Sequence, residues 1–490
     1  MGVSDFVIAH ISDLHFSEGT DKLYPDHQHS IEHLRCLEDS LLKFEIDFLI
    51  LSGDISNYGD RQSLINASGF IFNSIPIGEE EIIGLRLPSQ KVGIVPGNHD
   101  AWNCPLAGSL NDRRQKSLEN FSFSFPSYSP ITTDGCYYQW LQKGKKGIFI
   151  AFVDSCFLGG TEKNDGSAFG TMRLDQAIAK GKLSVAQTEK LLEWHDLGMK
   201  GELPSPHDNE TYIEKDVFGK SLKIIVMHHY LFEPPQHKTD YFMRIQHRDV
   251  VFRNIAFSDF DILLCGHKHI PSFDTHSYGY HFDKRAKNRL MINYFRRLIG
   301  LHSLPVQIED QAGRRWSKLL TFLSNILIKL SIRRNPQATS KDIAEDVLSL
   351  LRNGLDNPDN LQRNVKAFLQ KYGISGSEVL STHELNEIKK RIAIGLTISE
   401  RKKLKETAKV IKEMVKQLDA RPFLQIMSGS TAKSCSDKDK LRSFNIIKIS
   451  NEDSTWRVIC ERYNWDWESM RFSFKPLVQE QSFQKERIFT

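Results

Sequence analysis

The sequence predicts an α/β fold with sheets covered by helices, on two observations. Six short apolar runs rich in Val, Ile, Leu and Phe recur in the first part of the chain: FVIAHI (6–11), FLILSG (48–53), VGIVPG (92–97), IFIAFV (148–153), LKIIVM (222–227) and DILLCG (261–266). Runs of this length and composition suit strands buried on both faces. Helical patterns lie between them. SIEHLRCLEDSLLKF places Ile31, Leu34, Leu41 and Phe44 near helical spacing, and LSVAQTEKLLEWH opens with Ser184 and Gln187 as a capping box.

From about 281 to 420 the strand pattern gives way to helices. KLLTFLSNILIKLSI (318–332) and SERKKLKETAKVIKEMVKQLD (399–419) are amphipathic; in the second, Leu404, Ala408, Ile411, Val415 and Leu418 share one face. After Pro422 strands return as FLQIMS, SFNIIKIS (443–450) and TWRVICERYNW (455–465), with NEDS before Thr455 as a turn. The organisation expected is a core over 1–280, a basic helical insertion over 281–420, closing strands over 421–475, and a tail over 476–490.

Composition narrows the class. The 490 residues are 40% hydrophobic and 26% charged, which fits a soluble globular chain and excludes a fibrous or disordered one. MGVSDFVIAHISDLH carries neither a basic leader nor a cleavage pattern, and no uncharged run reaches the roughly 18 residues that span a bilayer. Seven scattered cysteines without a CxxC pair argue against a disulfide framework or a thiolate zinc site, so reduced cysteines and a cytoplasmic setting are expected. The net charge of +4 is unevenly spread: residues 281–420 hold 27 Lys plus Arg against 15 Asp plus Glu.

Five apolar runs end in metal-ligand residue types. They lead into Asp13-Leu14-His15, Gly53-Asp54, Gly97-Asn98-His99-Asp100, His228-His229 and Gly266-His267-Lys268-His269. In open α/β sheets, ligands bind beyond the carboxyl ends of the strands, so five such ends on one edge converge on one crevice. Asp13 and His15, like His267 and His269, are two apart and point to one side if the chain is extended. Gly53, Gly97 and Gly266 allow tight turns and close approaches. Carboxylate, imidazole and amide donors suit zinc, manganese or iron. They are too many for one tetrahedral ion, whereas two ions bridged by Asp54 use them all. Two divalent ions against the charges of Asp13 and Asp54 leave a positive site, matched to a phosphate ester.

In these five blocks, DLH (13–15), GD (53–54), GNHD (97–100), HH (228–229) and GHKH (266–269), the chain resembles the calcineurin-like metallophosphoesterase superfamily. The resemblance covers about 1–280. GSTAKS followed by SFNIIKIS is similar to what ends the bacterial phosphodiesterase-like branch. It implies two packed mixed β-sheets flanked by helices, an αββα sandwich interrupted here by the helical insertion. It also implies two divalent metal ions (Mn2+, Fe2+ or Zn2+), with Asp13, His15, Asp54 and His269 on the first and Asp54, Asn98, His228 and His267 on the second. His228 follows its strand directly and is preferred over His229. The catalytic pair implied is His99, which contacts phosphate and protonates the leaving oxygen, and Asp100, which positions the loop. One departure stands out. The phosphoprotein-phosphatase branch has an aspartate three residues after the GD aspartate, orienting the catalytic histidine; this chain has Asn57, whose amide oxygen can accept the histidine N–H without raising its pKa as a carboxylate does.

The expected activity is phosphodiester hydrolysis by a metal-activated water. The alternative is a DNA or RNA nuclease whose basic insertion binds nucleic acid. A lesser one is an interaction protein docking a partner through 281–420. Most amphipathic helices pack against protein, so a lid or protein contact is favoured for that segment. A membrane contact through the face of Trp316, Leu319, Leu320, Leu323, Ile326, Leu327 and Leu330 is the least favoured. His27, His29 and His33 are expected at the surface or on the cleft rim, and Cys265 in the core.

Overall fold

The computed structural model describes residues 5–17, 27–77, 81–102, 110–157, 181–206, 208–234, 245–246, 248–277, 422–431, 442–452, 454–466, 468–469, 471–473 and 475–484. The chain divides into two units, Met1–His281 with Ala420–Thr490 and Phe282–Asp419. The second lies outside the described residues, and with it the helices expected over 318–332 and 399–419.

In chain order the strands are β1 (Phe6–Ile11), β2 (Phe48–Ser52), β3 (Ile75–Ile77), β4 (Glu81–Ile83), β5 (Val92–Val95), β6 (Cys136–Lys143), β7 (Lys146–Val153), β8 (Pro204–Ser205), β9 (Asp208–Tyr212), β10 (Leu222–Val226), β11 (Ile262–Cys265) and β12 (Ser272–Ser277), followed by β13 (Pro422–Met427), β14 (Ser443–Glu452), β15 (Thr455–Asp466), β16 (Arg471–Phe472) and β17 (Leu477–Gln484). The helices are α1 (His27–Leu41), α2 (Arg61–Phe72), α3 (Asn98–Trp102), α4 (Leu110–Ser124), α5 (Ser129–Thr133), α6 (Val185–Lys200), α7 (Lys215–Lys220) and α8 (Arg248–Phe257). Among the described residues none is long and apolar enough to cross a membrane.

Most strands build two mixed sheets flanked by helices, while β3 pairs with β4 and β8 with β9 in separate two-stranded ribbons. One mixed sheet runs β16–β15–β14–β1–β2–β5, with β17 also on β15; the other runs β12–β13–β11–β10–β7–β6. In the first, β1, β2 and β5 are parallel and β14 is antiparallel to β1. In the second, β7, β10, β11 and β13 are parallel, with β6 and β12 antiparallel at the edges. Every residue of β2, β5, β10 and β11 is buried, which is why these strands read as mainly apolar runs, with Lys223 the one charged residue among them. Ile8, Phe48, Ile94, Phe152, Ile224, Ile262 and Ile426 belong to one core drawn from both sheets.

The capping box of α6 is present: Ser184 Oγ accepts from Gln187 N at 3.1 Å and Gln187 Oε1 from Ser184 N at 2.7 Å. Three expectations change. Asn451 and Glu452 are still paired in β14, opposite Trp456 and Thr455, so the first half of NEDS is strand. Residues 477–484, expected as a tail, form β17 on β15. Their alternation is weak because only Phe483 reaches the core. His33 is buried, bonded to Arg442 and packed at a tilt against Trp465, rather than at the surface.

Candidate metal centre

The five ligand-bearing strand ends come from both sheets: β1, β2 and β5 in one, β10 and β11 in the other. Beyond β1 the chain stays bonded to the turn beyond β2, with Asp13 N on Gly53 O (3.0 Å), His15 N on Asp54 O (2.9 Å), Phe16 N on Ile55 O (2.8 Å) and Asn57 N on Phe16 O (2.8 Å). The extended geometry expected for Asp13/His15 and His267/His269 is not what brings these pairs together. Asp13, His15, Asp54, His267 and His269 are all left-handed, with φ of 56°, 51°, 50°, 73° and 57°. This backbone costs an L-residue roughly 1–2 kcal/mol. The chain needs it because each segment must turn off its strand while still aiming two side chains at one point. Two glycines allow the crowding. Gly53 has φ 94°, and a Cβ there would lie 2.4 Å from His228 Nδ1; a Cβ on Gly97 would lie 2.1 Å from Asp54 Oδ1.

Two clusters result, sharing Asp54: Asp13, His15, Asp54 and His269, then Asp54, His228 and His267. In the first, His15 Nε2 lies 3.4 Å from His269 Nε2 and 3.8 Å from Asp54 Oδ2, while His269 Nε2 lies 3.0 Å from Asp13 Oδ1. In the second, His228 Nε2 lies 3.3 Å from Asp54 Oδ2, 3.2 Å from Asn98 Oδ1 and 3.0 Å from His267 Nδ1. The Ser52 carbonyl, 2.8 Å from His228 Nδ1, can only accept, so that nitrogen carries the proton. In the neutral ring Nε2 then presents a lone pair to a carboxylate and an amide oxygen.

Such a convergence of acceptors is repulsive without a cation. Asp13 Oδ1 and His267 Nε2 are also buried without a hydrogen-bond partner, a lack that coordination to a cation would make good. The donor set therefore fits two divalent ions bridged by Asp54. The electrostatics agree. Burial pulls the His228 pKa down, but the Asp54 carboxylate outweighs it and the group rises to about 9, so the position favours positive charge. Burial pushes Asp54 up, yet His228, His99 and His15 hold it well below the usual carboxylate range. His267 is pushed well below the usual histidine range by burial and by His229 and His228.

His99 stands at the start of α3, its N–H donating to Asp54 Oδ1 at 2.9 Å and its Nδ1 bonded to the main-chain oxygen of Asn57 at 2.8 Å. The amide of Asn57 does not serve His99, contrary to expectation: its Oδ1 faces His15 Nδ1 at 3.0 Å. Asp100 is buried and takes four donors, from Ile55 N (3.0 Å), Ser56 N (2.7 Å), Ser56 Oγ (2.7 Å) and Gly97 N (2.9 Å). It ties the GD turn to the GNHD turn. His229 is in neither Asp54 cluster; it bonds Ser155 Oγ through Nδ1 at 2.8 Å, with its ring 4.4 Å from that of His267. Ser155 and Asp154 were not singled out in the sequence, although DS directly after the β7 run is the same strand-end signal. Asp154 is buried, accepts Cys156 N at 2.7 Å through Oδ1, and leaves Oδ2 unbonded. Burial, tempered by Arg114, lifts its pKa to about 7. Cys265 is buried as expected, and none of Cys36, Cys136, Cys156, Cys265 and Cys460 is in a disulfide.

A sequence model of one protein family, calcineurin-like phosphoesterase, matches residues 6–271. Among solved structures, a Staphylococcus aureus protein provisionally named a 5′-nucleotidase, in complex with alpha-ketoglutarate, is 13% identical over 55% of this chain and 46% of that chain, with a TM-score of 0.28. The purple acid phosphatase PPD1 from yellow lupin (Lupinus luteus) seeds is 12% identical over 56% of this chain and 39% of that chain, with a TM-score of 0.30. The chain thus spans less than half the length of either. No curated protein matches.

Proposed function

From the chain's membership of the calcineurin-like phosphoesterase family, which makes it a metal-dependent phosphoesterase, we propose that its substrate is a phosphodiester. The observation that carries the phosphoesterase chemistry is the pair of His/Asp clusters sharing Asp54. The narrower diesterase reading is supported by the likeness of GSTAKS and SFNIIKIS to what ends the bacterial phosphodiesterase-like branch, and Asn57 in place of an aspartate argues against a phosphoprotein phosphatase.

In this reading Asp13, His15, Asp54 and His269 hold one ion, and Asp54, Asn98, His228 and His267 the other. Two such ions polarise the phosphate oxygens and activate water for in-line attack. The protein's own residues do the rest. Asp54 sets the spacing of the two clusters. Ser52 O and Asn57 Oδ1 hold His228 and His15 with Nε2 inward. His99, anchored through Nδ1 on the Asn57 carbonyl, presents Nε2 to the substrate. In its doubly protonated form it gives the Nε2 proton to the departing oxygen and keeps the Nδ1 proton on that carbonyl.

The test uses the full-length protein with Mn2+. Bis(p-nitrophenyl) phosphate is expected to be cleaved with a higher kcat/KM than p-nitrophenyl phosphate, and Asp54→Asn to abolish both activities. Preference for the monoester removes the diesterase reading while leaving the family assignment intact. A second reading, nucleic acid as the diester, is favoured by the 27 basic against 15 acidic residues of 281–420. It requires cleavage of single- or double-stranded DNA or RNA that weakens steeply with salt.

A further inference from the structure

We propose that Asn57 is a two-handed positioning residue, whose side chain serves the metal centre and whose main chain serves the proton donor. The inference rests on the phosphoesterase reading of the site and assigns Asn57 a role beyond it. Three contacts fix the residue. Its N–H donates to Phe16 O at 2.8 Å, locking it beside the segment that carries His15. Its Oδ1 faces His15 Nδ1 at 3.0 Å. Its main-chain oxygen faces His99 Nδ1 at 2.8 Å.

Both oxygens can only accept, so each histidine places its Nδ1 proton on Asn57. For His15, this leaves the Nε2 lone pair aimed at Asp54 Oδ2 and Asp13 Oδ1, 3.8 and 3.9 Å away. A ligand imidazole held in this way keeps its tautomer and ring angle, and loss of such a partner typically costs about 10–100-fold in metal affinity. For His99, the same arrangement leaves Nε2 rather than Nδ1 as the nitrogen for proton transfer. The two rings meet edge to face, with centroids 4.8 Å apart, so one residue sets both orientations.

The two hands are separable by mutation. A side-chain substitution removes the bond to His15 and leaves the main-chain carbonyl on His99. An aspartate at 57 can still accept from His15. If the amide instead acted on His99, as in the aspartate-bearing branch, the same substitutions would alter proton donation and spare the metal.

The experiment titrates the metal-free, full-length protein with Mn2+ calorimetrically, and separately measures kcat at saturating Mn2+ for aryl phosphodiesters of graded leaving-group pKa. Asn57→Ala is expected to weaken the Mn2+ step that involves His15 by about 10–100-fold. Asn57→Asp is expected to restore it, and the dependence on leaving-group pKa to stay that of the wild type in both. Asn57→Leu, similar in size but without an acceptor, replaces Asn57→Ala should that variant not fold. Unchanged Mn2+ affinity in Asn57→Ala or Asn57→Leu overturns the proposal, as does equal loss in Asn57→Asp. A changed leaving-group dependence with intact affinity overturns it in favour of an amide contact to His99. The titration needs no substrate, so a wild type that binds Mn2+ but cleaves no ester would overturn the functional reading and the proton-donor half of this one, while the His15 half still stands or falls on the Mn2+ affinities.

Discussion

Asp54 is the residue on which the site turns. Its carboxylate belongs to both clusters, and its backbone is held left-handed by the turn through Gly53. Gly97 lies against it so closely that even a methyl group would meet Oδ1 at 2.1 Å and the Asp54 nitrogen at 2.2 Å. Gly97→Ala is therefore expected to displace the shared carboxylate. Activity should fall by about 100-fold or more, since misplacement on the order of 1 Å costs that much, while a cooperative melt is retained. Activity within a few-fold of wild type would show that the carboxylate's position tolerates far more play than this packing allows. The residue types were legible in the sequence because Asp, Asn and His after buried strands have few other uses together. Their orientations were not. That His99 leans on a main-chain carbonyl and His15 on the Asn57 amide depends on backbone direction, to which residue spacing is blind.

The strands that carry the site are its rigid frame, and they were the legible elements. β1, β2, β5, β7, β10 and β11 read as largely apolar runs because both faces are covered, with the buried His10 and Lys223 as interruptions in β1 and β10. β6 and β17 lie at or beside sheet edges, expose polar side chains, and so lack that pattern. At the end of β7 the frame also holds a titratable group with no ligand role in the proposed site. Asp154 keeps its proton up to about pH 7 in the folded chain but loses it near 3.8 when unfolded, chiefly because burial penalises its charge. Between those values the folded state binds the extra proton, so rising pH favours the unfolded chain by up to about 1.4 kcal/mol per pH unit, and the loss levels off above about pH 7. Asp154→Asn keeps an acceptor for Cys156 N and removes the titration. Denaturant unfolding at pH 4.5, 6 and 8 is expected to show a flatter profile for the variant, with its advantage over wild type greatest at pH 8. Parallel profiles would mean that Asp154 is solvated or paired in the folded protein.

Over the whole molecule, the sheets are completed from far along the chain. β13 lies between β11 and β12, and β14 between β1 and β15, so residues after 421 occupy interior positions in both sheets. The return of strands after Pro422 announced this closure in the sequence; which strands they would join was a matter of pairing that composition does not encode. Leaving interior neighbours unpaired exposes buried backbone donors and acceptors as well as apolar area. A chain ended at residue 280 is thus expected to give no cooperative thermal transition by circular dichroism, whereas a sharp transition would show that residues 1–280 are self-sufficient.

In the proposed site seven side chains come together to hold two ions across one carboxylate. Anomalous scattering from crystals grown with Mn2+ tests it most directly. Two peaks are expected roughly 3.5–4 Å apart, the spacing of two-metal hydrolytic sites, with Asp54 touching both. A single peak, or two that Asp54 does not bridge, would contradict it.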